Sequence, residues 1–218
     1  MKANEPRSAT RDAWTRRITQ WLTLLMHWVA THWLLMANVA IGLYVGVPVL
    51  APVLAHAGCQ RAANMIHLVF KPLCHQLPER SFFLYGRQIA YSYEELSQML
   101  GGLVPSRYQG GPGIGFKVAV CQRCVAIYLT MLAAGLSFAW VRRRLKALSA
   151  RQFAATVLPI AIDGLGQLFG LWTSTWWSRV LTGGLFGLGC FWLTYPHLER
   201  GMSEVRQESH RALKEWRQ

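Results

Sequence analysis

Between Ile18 and Gln60 the chain contains no Asp, Glu, Lys or Arg. A gap of that length excludes an ordinary solvated surface, and it is too long for one span of about 20 residues yet awkward for two. Acidic residues are scarce throughout, 10 against 23 Lys and Arg, for a formal net charge of +13. The basic residues nevertheless fall in blocks beside apolar runs rather than along one soluble face. That distribution excludes a nucleic-acid partner and makes the blocks signals of membrane topology. There is no internal repeat, no Gly-rich phosphate loop and no nucleophile elbow, so solenoids, P-loop nucleotide enzymes and α/β-hydrolases are set aside.

What is present is apolar. Hydrophobic residues make up 52% of 218 and include ten tryptophans, a composition that points to a small all-α membrane domain. The uncharged run reads as one helix with an interfacial start, because its prolines, Pro48 and Pro52, lie near its far end and no turn chemistry interrupts its middle. Trp21, Trp28 and Trp33 then sit at headgroup level, and the run exceeds the 7–15 or so apolar residues of a signal peptide. Further spans are read at 118–141, 153–172 and 179–195, with the first at 33–55. The expected fold is a bundle of about four transmembrane helices.

The expected organisation is an interfacial N-terminal segment 1–32, a membrane domain 33–196 with its loop 56–117 outside, and a cytoplasmic tail 197–218. Three basic blocks set this orientation: Lys2, Arg7, Arg11, Arg16 and Arg17; Arg142, Arg143, Arg144, Lys146 and Arg151; and Arg200, Arg206, Arg211, Lys214 and Arg217. With all three facing the cytoplasm, both termini are cytoplasmic in an inner-membrane, multi-pass protein. Within the loop, residues 61–70 have the spacing of a short amphipathic helix. Residues 81–90 read as a hairpin or tight turn, and 91–115 as a Gly-rich loop.

The chemistry is concentrated in few residues. Cys121 and Cys124 stand at metal-ligand spacing at the head of the second span, and Cys74 lies upstream beside His75. Three sulfurs with His75 or His67 would complete a tetrahedral site for zinc, or for iron. The alternatives are a disulfide from Cys74 to one of the pair, or redox chemistry by thiols acidified at a helix start beside Arg123. Cys59 and Cys190 read as bystanders. Asp163 is the only acidic residue inside an expected span, which makes it functional by default; Gln167 lies one turn away on the same face. These two and His75 are the catalytic candidates. Arg80, Arg123, Arg179, Thr182 and Tyr128 are the substrate-binding candidates, the arginines forming a cationic rim for a carboxylate, phosphate or polar headgroup. Gly166 with Gly170, and Gly183 with Gly187, mark faces for close packing of the last two spans.

The residues quoted fall into four motifs: Cys74-His75-Gln76-Leu77-Pro78-Glu79-Arg80-Ser81-Phe82, Cys121-Gln122-Arg123-Cys124-Val125-Ala126-Ile127-Tyr128, Asp163-Gly164-Leu165-Gly166-Gln167 and Arg179-Val180-Leu181-Thr182-Gly183. In combination these resemble the uncharacterised membrane-protein family called domain of unknown function 2085. Ala126 stands where that family usually has Gly, and the loop between the first two motifs is longer. The resemblance implies a polytopic membrane protein and groups these residues, but it names no activity. Three functions stay open: an enzyme on an amphipathic or anionic substrate, a thiol–disulfide oxidoreductase working with a quinone-like partner, and a non-catalytic subunit with a structural cysteine site. The lipid bilayer is the one partner all three require.

Overall fold

A computed structural model describes residues 5–141 and 145–216. Of the basic blocks, Lys2, Arg142, Arg143, Arg144 and Arg217 lie outside the described residues. The chain is mostly helical, with helices α1 (Glu5–His56), α2 (Gln60–Phe70), α3 (Tyr93–Leu100), α4 (Gln122–Val141), α5 (Ala150–Leu168) and α6 (Trp176–Glu215). Three short strands, β1 (Ser81–Leu84), β2 (Gly110–Gly111) and β3 (Gly115–Cys121), form an antiparallel sheet in the order β1-β3-β2.

The uncharged run is one helix, as its lack of turn chemistry requires. At 1.5 Å per residue, α1 is about 78 Å long, more than twice a bilayer core of about 30 Å. Among the described residues, α1 and α4 are long and apolar enough to cross a membrane. The outward surfaces of α5 and α6 are apolar too: Leu158, Ile162, Leu165, Leu168 and Leu181 are all more than half exposed. Contiguous apolar surface on this scale marks contact with lipid or another protein.

α1 and α6 run antiparallel over much of their length. His27 meets Ser209 at 3.0 Å and Trp33 Nε1 donates to Glu199 at 3.0 Å, so the start of α1 and the end of α6 share one end of the molecule. Trp33 is therefore not a headgroup anchor. It is 6% exposed and packs with Phe138, Phe191 and Tyr195, whereas Trp21 and Trp28 are exposed. No helix break falls at 32–33 or 196–197; α1 and α6 are continuous there.

The glycine face of α6 receives α4 rather than α5. A Cβ on Gly183 would lie 3.0 Å from the Arg123 carbonyl oxygen, and one on Gly187 would collide with the Ile127 carbonyl. Gly166 instead accommodates the folded-back Trp172 ring. The reason is position: α4 needs backbone-level approach to bring its first turn against α6. Gly187→Ala is expected to cost about 1–3 kcal/mol, the usual penalty of overpacking, read as a lower unfolding midpoint in detergent. An unchanged midpoint would remove this contact from the account.

The loop 56–117 is more ordered than its glycines suggest. The amphipathic segment forms α2 as expected, burying Ala63, His67 and Phe70. The 91–115 stretch contains α3, started by a capping box between Ser92 and Glu95, a start signal written in Ser-x-x-Glu. The expected second span also begins later than residue 118. Val118, Ala119 and Val120 are buried in β3, and two β-branched valines with Phe116 behind Gly115 are strand chemistry as much as helix chemistry. Gly115 is required there: at φ +95, a Cβ would lie 2.6 Å from the Leu84 carbonyl.

Candidate functional site

Two chain segments bring the thiols together. Cys121 ends β3 and Cys124 occupies the first turn of α4, so the strand-to-helix junction presents both on one side. Cys74 arrives from the end of α2, its N–H donating to the Phe70 carbonyl at 3.0 Å. The Sγ atoms of Cys74, Cys121 and Cys124 lie within 4.8 Å of one another, and all three are unbridged. The Cys121 N–H donates to the Cys74 sulfur at 3.2 Å. Hydrogen bonds from the Cys121 and Cys124 thiols, helped by backbone N–H groups, hold the Cys74 thiol well below its ordinary pKa.

Cys74 is fixed by its neighbours. Gln76 has φ +54, a left-handed conformation uncommon for a residue other than Gly. Its amide donates to the His67 carbonyl at 2.8 Å and pairs with His67 Nδ1 at 3.1 Å, and its own carbonyl accepts from Lys117 Nζ. Lys117 is 2% exposed and burial lowers its pKa to about 8. His67 is thus committed to Gln76, and burial lowers its pKa. His75 stands outside the three-thiol cluster; it is exposed and lines the cavity beside it.

That cavity, about 210 Å³, is lined by all three cysteines, His75, Arg80, Arg123, Gln167 and Arg179. A larger one, about 510 Å³, shares Arg80, Gln167 and Arg179 with it and adds Tyr91, Glu94 and Trp176. Arg179 is held by the Glu79 carbonyl at 3.1 Å and by Gln122 Oε1 at 3.2 Å, while Gln122 Nε2 donates to the Ser81 carbonyl at 3.0 Å. Gln122, fully buried, therefore ties β1, α4 and α6 together.

Asp163 lies against this site rather than far below it. Arg123, between the two cysteines of α4, donates to Asp163 Oδ2, and the Ser174 and Ser178 hydroxyls donate to Oδ1 at 2.7 and 3.2 Å. Arg123 thereby brings Asp163 level with the first turn of α4. Tyr128 lies one turn further along α4, packed on Tyr44 with ring centroids 4.1 Å apart, and Thr182 turns its hydroxyl to the Ser178 carbonyl at 2.9 Å. Neither lines the two cavities. Sequence reasoning missed Ser174, Ser178, Gln122 and the Lys117–Gln76–His67 anchor. The signal for the serines was a hydroxyl-rich turn, Thr173 to Ser178, at a helix start.

A relative from Methanocaldococcus jannaschii, described as an uncharacterised protein, is 26% identical over 133 residues, covering 60% of this chain and 67% of its own. No solved structure matches the chain. Residues 114–193 match the model of the family described as predicted membrane protein (DUF2085), so three of the four motifs fall inside that family's region and the Cys74 motif precedes it.

Proposed function

We propose that Cys74, Cys121 and Cys124 hold a zinc-type ion, zinc or iron, in a multi-pass membrane protein whose adjoining polar cavity takes an anionic or amphipathic substrate. The observation that carries this reading is the meeting of three thiols from two separate segments at the floor of a cavity lined by three arginines. Three protein ligands and one open position is the arrangement of catalytic rather than structural zinc. An ion there would act as a Lewis acid or lower the pKa of a bound water. His75 and Gln167 line the same cavity; in this reading His75 would complete the ligand set or move a proton, and Gln167 would orient the substrate. Asp163, with three donors already on it, holds Arg123 in place. Elemental analysis of purified protein should give about one zinc or iron per chain.

The depressed Cys74 thiol, beside two further free thiols, supports a second reading, in which Cys74 and Cys121 or Cys124 form a disulfide while their two electrons and two protons reduce a quinone-like partner to the quinol. A metal-free protein whose thiols oxidise pairwise would select it. Absence of metal together with three freely alkylated thiols would defeat both readings.

The proposed topology has α1, α4, α5 and the apolar half of α6 crossing the inner membrane, both termini cytoplasmic and 56–117 outside. The shared end of α1 and α6 supports an even number of crossings, and the basic residues of 197–218 supply the sign. The proposed divisions remain 1–32, 33–196 and 197–218. Single cysteines engineered into 91–115 should react with an impermeant maleimide in intact cells; protection there would reverse the orientation.

A further inference from the structure

Three guanidinium groups converge on the smaller cavity from separate elements: Arg80 from the 3₁₀ turn Pro78–Arg80, Arg123 from the first turn of α4 and Arg179 from the first turn of α6. In each, the Nε atom is buried and has no hydrogen-bond partner, and Arg179 is only 6% exposed. Buried polar groups are nearly always paired, so three cavity-lining guanidinium groups that each keep an unmet donor are short of acceptors at this place. No carboxylate lines this cavity. Arg123 is neutralised by Asp163, whereas Arg80 and Arg179 form no ion pair among the described residues.

We infer that the cavity is a binding site for a dianionic tetrahedral oxyanion, a phosphate or phosphomonoester group, with Arg80 and Arg179 as its principal donors and Arg123 as the third. Neither Arg80 nor Arg179 has an ion pair among the described residues, and the Asp163 and Glu79 carboxylates reach Arg179 only at longer range, so the cavity keeps an excess of cations that a multiply charged anion answers. Guanidinium forks arriving from three directions suit a tetrahedral group presenting several oxygens better than a planar carboxylate presenting two. Gln122 and the Glu79 carbonyl preset Arg179 from the side away from its free Nε, so little side-chain ordering is left for binding. The larger cavity, continuous through Arg80, Gln167 and Arg179, gives the remainder of an esterified ligand room to leave. This site names the substrate class of the proposed function but rests on the arginines, not on the ion.

The test uses the full chain in detergent and in lipid nanodiscs, with metal content measured on each sample. Inorganic phosphate is titrated by phosphorus NMR, with acetate as the planar control; nanodiscs containing phosphatidic acid in phosphatidylcholine present the same group as a lipid. Binding of free phosphate would identify a soluble source, and binding of phosphatidic acid alone a lipid headgroup; either supports the site. Arg80→Gln and Arg179→Gln should each weaken binding by about tenfold or more, as loss of a charge-assisted bond does, with metal content unchanged. Arg80 is the safer variant, because Arg179 also holds α6 to Gln122, and its thermal unfolding should match the parent. Phosphate binding that survives Cys124→Ser supports an arginine site. Affinity equal for acetate, affinity untouched by both arginine substitutions, or phosphate binding lost whenever the metal is lost would overturn it.

Discussion

Replacing any one of Cys74, Cys121 and Cys124 by Ser is expected to weaken metal binding by more than about 100-fold, since removing even an outer-shell partner of a ligand costs about 10–100-fold. Against a competing chelator the ion should fall from about one per chain to a small fraction of that. The three substitutions should be equivalent in metal loss but not in folding. Cys74 packs with Phe70, Val118 and Val120 and accepts the Cys121 N–H, so Cys74→Ser also disturbs the seam between α2 and β3. Cys124, half-buried at the start of α4, should report metal loss most cleanly. His75→Ala separates two forms of the site. With an open fourth position, the variant keeps its ion; with His75 as fourth ligand, it loses the ion as Cys124→Ser does. Retention of a full complement of metal by all three cysteine variants would sink the site.

How much of this was legible in the sequence depended on whether the signal was local. The single long α1 followed from an uninterrupted run, and α2 from its spacing of apolar residues. The capping box of α3 was equally local, in Ser92 and Glu95, but was overlooked among glycines. The start of α4 was misplaced because Val118 to Val120 satisfies strand and helix alike, and only pairing with Ser81 to Leu84 decides between them. The convergence of Cys74 with Cys121 and Cys124 was readable because thiols have few other uses at that spacing. The partners of Asp163 and Gln76 were not, since a serine in a turn or a lysine in a strand carries no mark of what it will meet 15 or 41 residues away. The packing of α4 into the Gly183–Gly187 face was hidden for the same reason: the motif announces close approach without naming the partner.

The Arg123–Asp163 pair should behave as a coupled unit, and its loss is the second large effect expected. Their side chains are 22% and 10% exposed, so this is a partly buried pair. Breaking a buried pair by removing one partner costs about 3–5 kcal/mol, chiefly because a charge is left uncompensated; the greater exposure of Arg123 puts Asp163→Asn near the lower end of that range. Asn keeps the Oδ1 acceptor for the Ser174 and Ser178 hydroxyls but loses the charge and turns an N–H donor toward the Arg123 guanidinium, so the Arg123 bond goes as well. Asp163→Ala loses all three bonds and should cost more, by about 1–3 kcal/mol for the buried hydroxyls left unpaired. The double variant Arg123→Gln with Asp163→Asn removes both charges and should recover part of the loss, giving a coupling energy of about 0.5–3 kcal/mol in a double-mutant cycle of unfolding in mixed micelles. Metal content should stay at about one per chain throughout, because neither side chain is a proposed ligand, while any activity falls as Arg123 leaves its place between Cys121 and Cys124. A coupling energy of zero would mean that Asp163 positions nothing. Loss of metal in Asp163→Asn, with the fold intact, would move the carboxylate from holding an arginine to holding the ion's site itself.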